Sequence, residues 1–191
     1  MADIATPTGG ARGPRWSAAR RLRSALPPGL RDRLLDPSSL TRRLQLTCGP
    51  QFCVRVLAQG WGRPLASERR ALGMKRGGRA LIREVQLMCG DTPWVFARTV
   101  IPVRTLRGRQ RRLARLGSRP LGAALFADPR LERGEVEIAR LVPGDGLYLR
   151  AATKGAPHGI WGRRSVFTLK GKPLLVSEFF LPPLVHDRRR D

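Results

Sequence analysis

The chain is poor in histidine and cysteine, which limits the chemistry it can perform. His158 and His186 lie in stretches without a regular secondary-structure pattern, so we do not expect an acid–base mechanism built on histidine. Cys48, Cys53 and Cys89 show no C-x-x-C spacing and lie far from both histidines in sequence, so we do not expect a structural zinc site. We interpret all three cysteines as reduced, partly buried thiols of a cytoplasmic protein.

The sequence also lacks the motifs of several large enzyme classes. It contains no P-loop, no G-x-G-x-x-G after a predicted strand, no G-x-S-x-G and no H-E-x-x-H. No apolar run approaches the roughly 20 residues of a membrane-spanning helix, and the first residues lack the apolar segment of a secretory signal. We therefore expect no membrane span and no chemistry of those motif-bearing classes.

Lysine and acidic residues are scarce, whereas arginine is abundant. The chain carries 37 Lys and Arg, of which only four are lysine, against 14 Asp and Glu, which gives a formal net charge of +23. This balance fits nucleic-acid binding, attraction of a small anionic substrate, or arginine bias on a solvated surface. Arginine is spread over the whole chain, which favours surface bias. Aromatic residues make up 6% of the chain, with one tyrosine, so there is little sign of a base-stacking surface.

The length of 191 residues predicts one domain. We expect a disordered tail at 1–14, a domain at 15–184 and a charged tail at 185–191. Periodicity predicts short helices first, then about six antiparallel strands with two helices inserted between them, which is an α+β pattern. The predicted strands are Phe52–Leu57, Ala80–Met88, Trp94–Val103, Glu135–Leu141, Trp161–Leu169 and Leu174–Leu181. A Gly-rich run from Gln59 to Pro64 is expected to end the first strand, and 109–116 to form a helix.

Three charged residues fall on strand faces that are otherwise apolar, because side chains alternate between the faces of a strand. Glu178 shares its face with Val176, Arg83 shares its face with Val85, and Arg98 also lies among apolar neighbours. A charge on an apolar face is costly unless it finds a partner. These three residues are therefore the candidates for function.

Each candidate also has a structural interpretation. Arg83 and Glu178 could form an ion pair between strands, and Arg98 could serve the fold alone. As a ligand site, an arginine fork recognises a carboxylate, and a glutamate accepts a hydrogen bond from a hydroxyl. Such a set suits a small, largely apolar molecule with a carboxylate at one end and a hydroxyl at the other. Pro120 opens a helix whose Leu121 amide is a weak additional signal for an anion.

Six segments occur in a characteristic order along the chain: Leu81–Leu87, Trp94–Pro102, Pro120–Gly122, Glu137–Arg140, Trp161–Ser165 and Leu175–Pro182. Together they resemble the bacterial chorismate pyruvate-lyase family. The resemblance extends from about Trp16 to Pro183.

The resemblance implies one domain in which an antiparallel sheet flanked by helices encloses the ligand. It implies the release of pyruvate from chorismate, which leaves 4-hydroxybenzoate for ubiquinone synthesis, with no metal or organic cofactor. It also implies that Arg83 binds the ring carboxylate, that Glu178 lies at the ring hydroxyl, and that both are catalytic. Leu121 is implied as a ligand contact, as is Leu40, which stands where the family has methionine.

Two further expectations concern Arg98 and the oligomeric state. We expect Arg98 to stabilise charge on the departing pyruvate group, and we expect the protein to be a monomer. Two alternatives remain open at the level of sequence. The same general fold serves as an effector-binding sensor in some transcription regulators, although this chain shows no clear helix-turn-helix. A basic nucleic-acid-binding protein is the second alternative, prompted by the charge.

Overall fold

The computed structural model describes residues 13–152 and 159–186. Of the expected N-terminal tail it covers only Gly13 and Pro14, and of 185–191 only Val185 and His186, which belong to a helix. The remainder of both predicted tails, together with 153–158 of the Gly- and Pro-rich stretch, lies outside the described residues. Within the described ranges no helix is long and apolar enough to cross a membrane.

Eight strands form one antiparallel sheet, which confirms the predicted α+β class. The strands are β1 (Ser17–Ala18), β2 (Phe52–Gly62), β3 (Ala80–Cys89), β4 (Thr92–Pro102), β5 (Leu131–Arg133), β6 (Glu137–Leu141), β7 (Ile160–Leu169) and β8 (Lys172–Phe180). Their spatial order is β1-β6-β7-β8-β4-β3-β2, and β5 pairs with β7 beyond the end of β6. The six longest are the six predicted strands.

Short helices flank this sheet. They are α1 (Ala19–Leu22), α2 (Pro28–Leu35), α3 (Leu40–Cys48), α4 (Ala66–Ala71), α5 (Leu121–Phe126), α6 (Tyr148–Ala151) and α7 (Pro182–His186). Local chemistry sets several of their ends. Pro28 occupies the first position of α2, where its missing N–H costs nothing. The Ser39 hydroxyl accepts a hydrogen bond from the Arg42 N–H and caps α3.

Each face of the sheet carries its own apolar core. On one face α2 and α3 pack on β2–β4, and Leu34, Leu44 and Val85 belong to one buried apolar cluster. Next to them, the turns at 108–116 and α5 pack Leu113 and Leu125 against the same face. The opposite face is covered by α4 and α6. The candidate site lies on the face beneath α3 and α5.

One local prediction is wrong and another is confirmed. The expected break after Leu57 is absent, because β2 accommodates that residue as a bulge between Val56 and Ala58 and continues to Gly62. The basic segment predicted as a helix over 109–116 is helical, with 3₁₀ winding over Gly108–Arg115. That tighter winding still buries Leu113 and leaves the arginines exposed.

The prediction of three reduced thiols is wrong for two of them. Cys48 ends α3, Cys89 ends β3, and the two form a disulfide with their Cα atoms 5.7 Å apart. They are 41 residues apart in sequence, and only the return of β3 alongside β2 brings them together. Cys53 is free and exposed. The bond ties α3, which covers the candidate site, to the sheet.

Candidate active site

A cavity lies between the sheet and the helices α3 and α5. Its floor is formed by side chains from β2, β3, β4, β7 and β8 that point to the same face. Its empty space is about 520 Å³, a figure that includes open solvent at its mouth. The lining is mostly apolar and comprises Ser39, Leu40, Thr41, Val54, Arg83, Val85, Leu87, Ala97, Thr99, Pro120, Leu121, Gly122, Leu125, Phe126, Phe167, Val176 and Glu178.

Arg83 is the cation of this cavity, and it is held by backbone rather than by an acid. It is 3% exposed, and its Nη2 donates to the carbonyl oxygens of Gly117 at 2.9 Å and Arg119 at 3.2 Å. Its Nε is buried and donates to none of the described residues. Within 13–152 and 159–186, no carboxylate lies within salt-bridge distance of Arg83. Burial lowers the pKa of its guanidinium, which is the direction expected for a desolvated cation.

Glu178 is the anion of the cavity, and its partner is Arg163. The Arg163 Nε donates to Glu178 Oε2 at 2.7 Å, and Arg163 Nη1 donates to the carbonyl oxygens of Arg33 at 3.1 Å and Asp36 at 2.6 Å. Arg163 is therefore fixed to the end of α2 as well as to the glutamate. The suggested ion pair between Arg83 and Glu178 is not formed. The cavity is therefore lined by one cation and one anion, and among the described residues only the anion has an oppositely charged partner.

A second arginine stands near Glu178. Arg133 on β5 lies 5.4 Å from the centroid of Phe167, which lines the cavity, and its Nε donates to Ser165 Oγ at 3.0 Å. Burial lowers the pKa of Arg133, and repulsion from Arg163 lowers it further, while Glu178 and Asp36 oppose this shift. Arg163 and Arg133 therefore both place positive charge near the carboxylate of Glu178.

The sheet register sets the spacing between the two charges. Arg83 lies opposite Thr99, which lies opposite Val176. Glu178 lies two residues further along β8 than Val176 and two strands away from Arg83. With strands about 4.8 Å apart and a rise of about 3.3 Å per residue, their Cα atoms are about 12 Å apart. Both side chains line the cavity from these positions.

Helices α3 and α5 form the cover of the cavity. Leu40 opens α3 and Leu121 opens α5, and both line the cavity. The helices approach closely at Gly122, where an added Cβ would lie 2.7 Å from Thr41 Oγ1. Glycine is therefore needed for this contact. The structure thus brings together four predicted site residues, Arg83, Glu178, Leu121 and Leu40, although their roles stay predictions.

Arg98 does not line the cavity, and its proposed contact with substrate is corrected. It points to the opposite face, is 1% exposed, and donates from Nε to Glu68 Oε1 at 2.7 Å and from Nη1 to Glu84 Oε1 at 2.5 Å. Burial alone would lower the pKa of Arg98, but attraction and hydrogen bonds from Glu68 and then Glu84 outweigh it and raise that pKa. Arg150 pairs with the second oxygen of Glu84. Arg98 therefore serves the fold.

The sequence interpretation missed Arg163 and the hydroxyl-bearing Thr99 and Thr41. The signal for Arg163 was present in the β7–β8 hairpin. A two-residue turn at Lys170-Gly171 pairs Leu169 with Lys172, and counting back places Arg163 opposite Glu178. Among the described residues, no group of three His, Cys, Asp or Glu side chains lies close enough together to hold a metal ion.

Comparison with protein families gives a match over most of the chain. Residues 13–191 match the family model described as chorismate lyase. A probable chorismate pyruvate-lyase of Azoarcus sp. (strain BH72) is 51% identical over 162 residues, covering 82% of this chain and 85% of the relative. A protein of the same description from Methylococcus capsulatus is 44% identical over 152 residues, covering 80% of this chain and 94% of the relative.

Solved structures resemble this fold at low identity. PhnF from Mycobacterium smegmatis aligns with a TM-score of 0.54 at 15% identity, covering 78% of this chain and 66% of that one. A transcriptional regulator of the GntR family from Bacillus cereus aligns with a TM-score of 0.51 at 13% identity, covering 70% and 93% respectively. These likenesses concern the fold alone.

Proposed function

Because this chain belongs to the chorismate lyase family, we propose that it releases pyruvate from chorismate and leaves 4-hydroxybenzoate. One observation carries the proposal. A single apolar cavity is lined by a guanidinium without a carboxylate partner among the described residues and, two strands away, by a carboxylate. This arrangement matches a ring with a carboxylate at one end and a hydroxyl opposite.

We assign the ring carboxylate to Arg83 and the ring hydroxyl to Glu178. Arg83 Nε is the buried donor that is still available, and an ionised acceptor forms a strong hydrogen bond with it. Glu178 is fixed at Oε2 by Arg163, so its carboxylate is already oriented when it accepts from the hydroxyl. Leu40 and Leu121 pack against the ring and exclude water.

The reaction is an elimination that produces an aromatic ring. The bond from the ring to the enolpyruvyl oxygen breaks, and the ring carbon that bears the hydroxyl loses its hydrogen. The enolpyruvyl group gains a proton and departs as pyruvate, so atoms balance between chorismate and the two products. Aromatisation drives the reaction, and the protein has to hold the eliminating conformer and stabilise developing charge.

We propose that no metal or organic cofactor takes part. The elimination needs neither an oxidant nor a reductant, and the cavity offers arginine, carboxylate, hydroxyl and apolar groups for positioning. The 4-hydroxybenzoate then serves ubiquinone synthesis, as the resemblance implies. This pathway remains a proposal.

The test is a product balance. Nucleic-acid-free protein treated with EDTA is mixed with chorismate, and pyruvate and 4-hydroxybenzoate are quantified against the spontaneous background. Equal amounts of both products, formed in proportion to protein, are expected. The absence of product, with 4-hydroxybenzoate still bound, would contradict the proposal and indicate an effector-binding module instead.

A further inference from the structure

A second cleft lies on the face of the sheet that is opposite the cavity. It is separate from the cavity and shares none of its lining residues. It is formed where the residues before β1 meet α4, β6 and β7. Its lining comprises Pro14, Arg15, Trp16, Ser67, Arg70, Ala71, Glu137 and Arg164.

Arg164 is the central donor of this cleft. Its side chain is 6% exposed, its Nε donates to Glu137 Oε2 at 2.7 Å, and its guanidinium carbon lies 4.5 Å from the centroid of Trp16. The Nη1 atom is buried and donates to none of the described residues. Ion pairing and stacking thus fix the guanidinium while one of its strong donors remains available.

Ser67 supplies a second buried polar group in the same cleft. Its Oγ is buried and has no hydrogen-bond partner among the described residues. Buried donors without a partner are rare in native proteins and call for an explanation. Two of them in one cleft, from α4 and β7, indicate a site for a group that accepts hydrogen bonds.

The charge of the lining favours an anion. Arg15, Arg70 and Arg164 contribute three positive charges, and Glu137 contributes one negative charge. The carboxylate of Glu137 is already engaged by Arg164 Nε. The exposed Arg15 and Arg70 can close on an oxyanion that Arg164 and Ser67 hold from below, because arginine presents several donors in a fixed fork.

We propose that this cleft is a binding site for a small oxyanion, a phosphate or a carboxylate, distinct from the substrate cavity. Arg164 Nη1 and Ser67 Oγ donate to the anion, and Arg70 and Arg15 neutralise it. Arg164 neighbours Arg163, which fixes Glu178, so the two sites lie on opposite faces of the same strand.

Calorimetric titration tests the proposal in the full chain carrying Arg83→Gln, which removes the cation of the substrate cavity. Inorganic phosphate and, separately, acetate are titrated at constant ionic strength, because free salt screens exposed arginines. We expect one saturable site for at least one of the two anions. In the same background, Arg164→Gln should weaken this binding at least tenfold, and Ser67→Ala and Arg70→Gln should weaken it severalfold. The matched control Arg76→Gln, an exposed arginine on a loop, should leave it unchanged.

Two results would overturn the proposal. One is the absence of a saturable site for either anion. The other is an anion affinity that stays the same in Arg164→Gln, Ser67→Ala and Arg70→Gln as in the control Arg76→Gln. If Arg164→Gln does not fold, Ser67→Ala and Arg70→Gln decide the outcome, because both residues lie in α4 and neither takes part in the ion pair between Arg164 and Glu137.

Discussion

Arg163 and Glu178 lie directly opposite each other on β7 and β8, and the arginine Nε donates to the glutamate at 2.7 Å. The same guanidinium donates to two carbonyl oxygens at the end of α2. A helix end, a strand and a cavity carboxylate are therefore joined through one side chain. Glu178 owes its position to this arrangement.

Replacing Arg163 with glutamine should impair turnover more than binding. Glu178 would lose the partner that orients it, and a misplaced group costs about 10²-fold in rate. We expect kcat for pyruvate release to fall by about that factor, with a much smaller change in KM. Arg55→Gln, which changes an exposed arginine on the edge strand, is the matched control. Equal losses in kcat and in folded fraction would show a merely structural role.

Replacing Arg83 with glutamine should cost affinity and activity without costing stability. The variant loses the charge-assisted bonds to the ring carboxylate, so kcat/KM should fall on the order of 10²-fold. Arg83 is a buried cation without a carboxylate partner among the described residues. Its removal should therefore either increase the free energy of unfolding or decrease it by less than about 1 kcal/mol. Urea unfolding and steady-state kinetics measure the two effects. Unchanged kcat/KM would refute the assignment, and Arg109→Gln serves as control.

Replacing Arg98 with glutamine should have the opposite effect to replacing Arg83: it should cost stability and leave substrate affinity unchanged. Glu68 and Glu84 would be left with less compensation at a buried site, which typically costs about 3–5 kcal/mol. The free energy of unfolding should fall by that amount, while KM for chorismate stays unchanged in the folded fraction. Denaturant titration and kinetics at low temperature measure this. A rise in KM with unchanged stability would contradict this and indicate that Arg98 contacts the substrate.

Acid should weaken the junction between α2 and α3 through Asp36. Burial acts to raise the pKa of Asp36, but hydrogen bonds from the Ser38 backbone and side chain, and then Arg43, outweigh it and lower that pKa below 3.8. A lowered folded-state pKa gives stability that is present above the unfolded value and lost as pH falls through the folded value. Wild type should therefore exceed Asp36→Asn in stability at pH 5, and the difference should shrink below about pH 4. Parallel curves from pH 5 to pH 2.5 would contradict this.

Reduction should destabilise the protein, because Cys48 and Cys89 close a long loop. A disulfide of this span contributes about 2–4 kcal/mol in chain-entropy terms. Dithiothreitol should lower the free energy of unfolding by that amount and raise the number of titratable thiols in denatured protein from one to three. Cys53→Ser should leave both the bond and the stability intact. Three free thiols before reduction would show that the bond is absent.

The strand pattern predicted most of the fold. It could not predict which side chains of β3 and β4 share a face of the sheet. The turn pairs Cys89 with Thr92, and regular counting from there sets Arg83 opposite Arg98 on one face. Trp94 is an extra residue in β4, so the register shifts and Arg83 meets Thr99 instead. A single bulge therefore moved Arg98 to the other face. Such bulges depend on packing that local sequence does not encode.

The candidate site was predictable where a charge interrupted an apolar strand face. Arg83 and Glu178 stood out for that reason, and the family resemblance gave them roles. Arg163 carries the same signal, but its role depends on the regular β7–β8 register. The disulfide and the contacts of Arg98 with Glu68 depend on helices that return over the sheet, so no spacing along the chain shows them.

The crystal structure of the protein with 4-hydroxybenzoate tests the central claim most directly. We predict one ligand in the cavity, with its carboxylate on Arg83 Nε and its hydroxyl donating to Glu178 beneath Leu40 and Leu121. A ligand bound elsewhere, or in this cavity with its carboxylate away from Arg83, would contradict it.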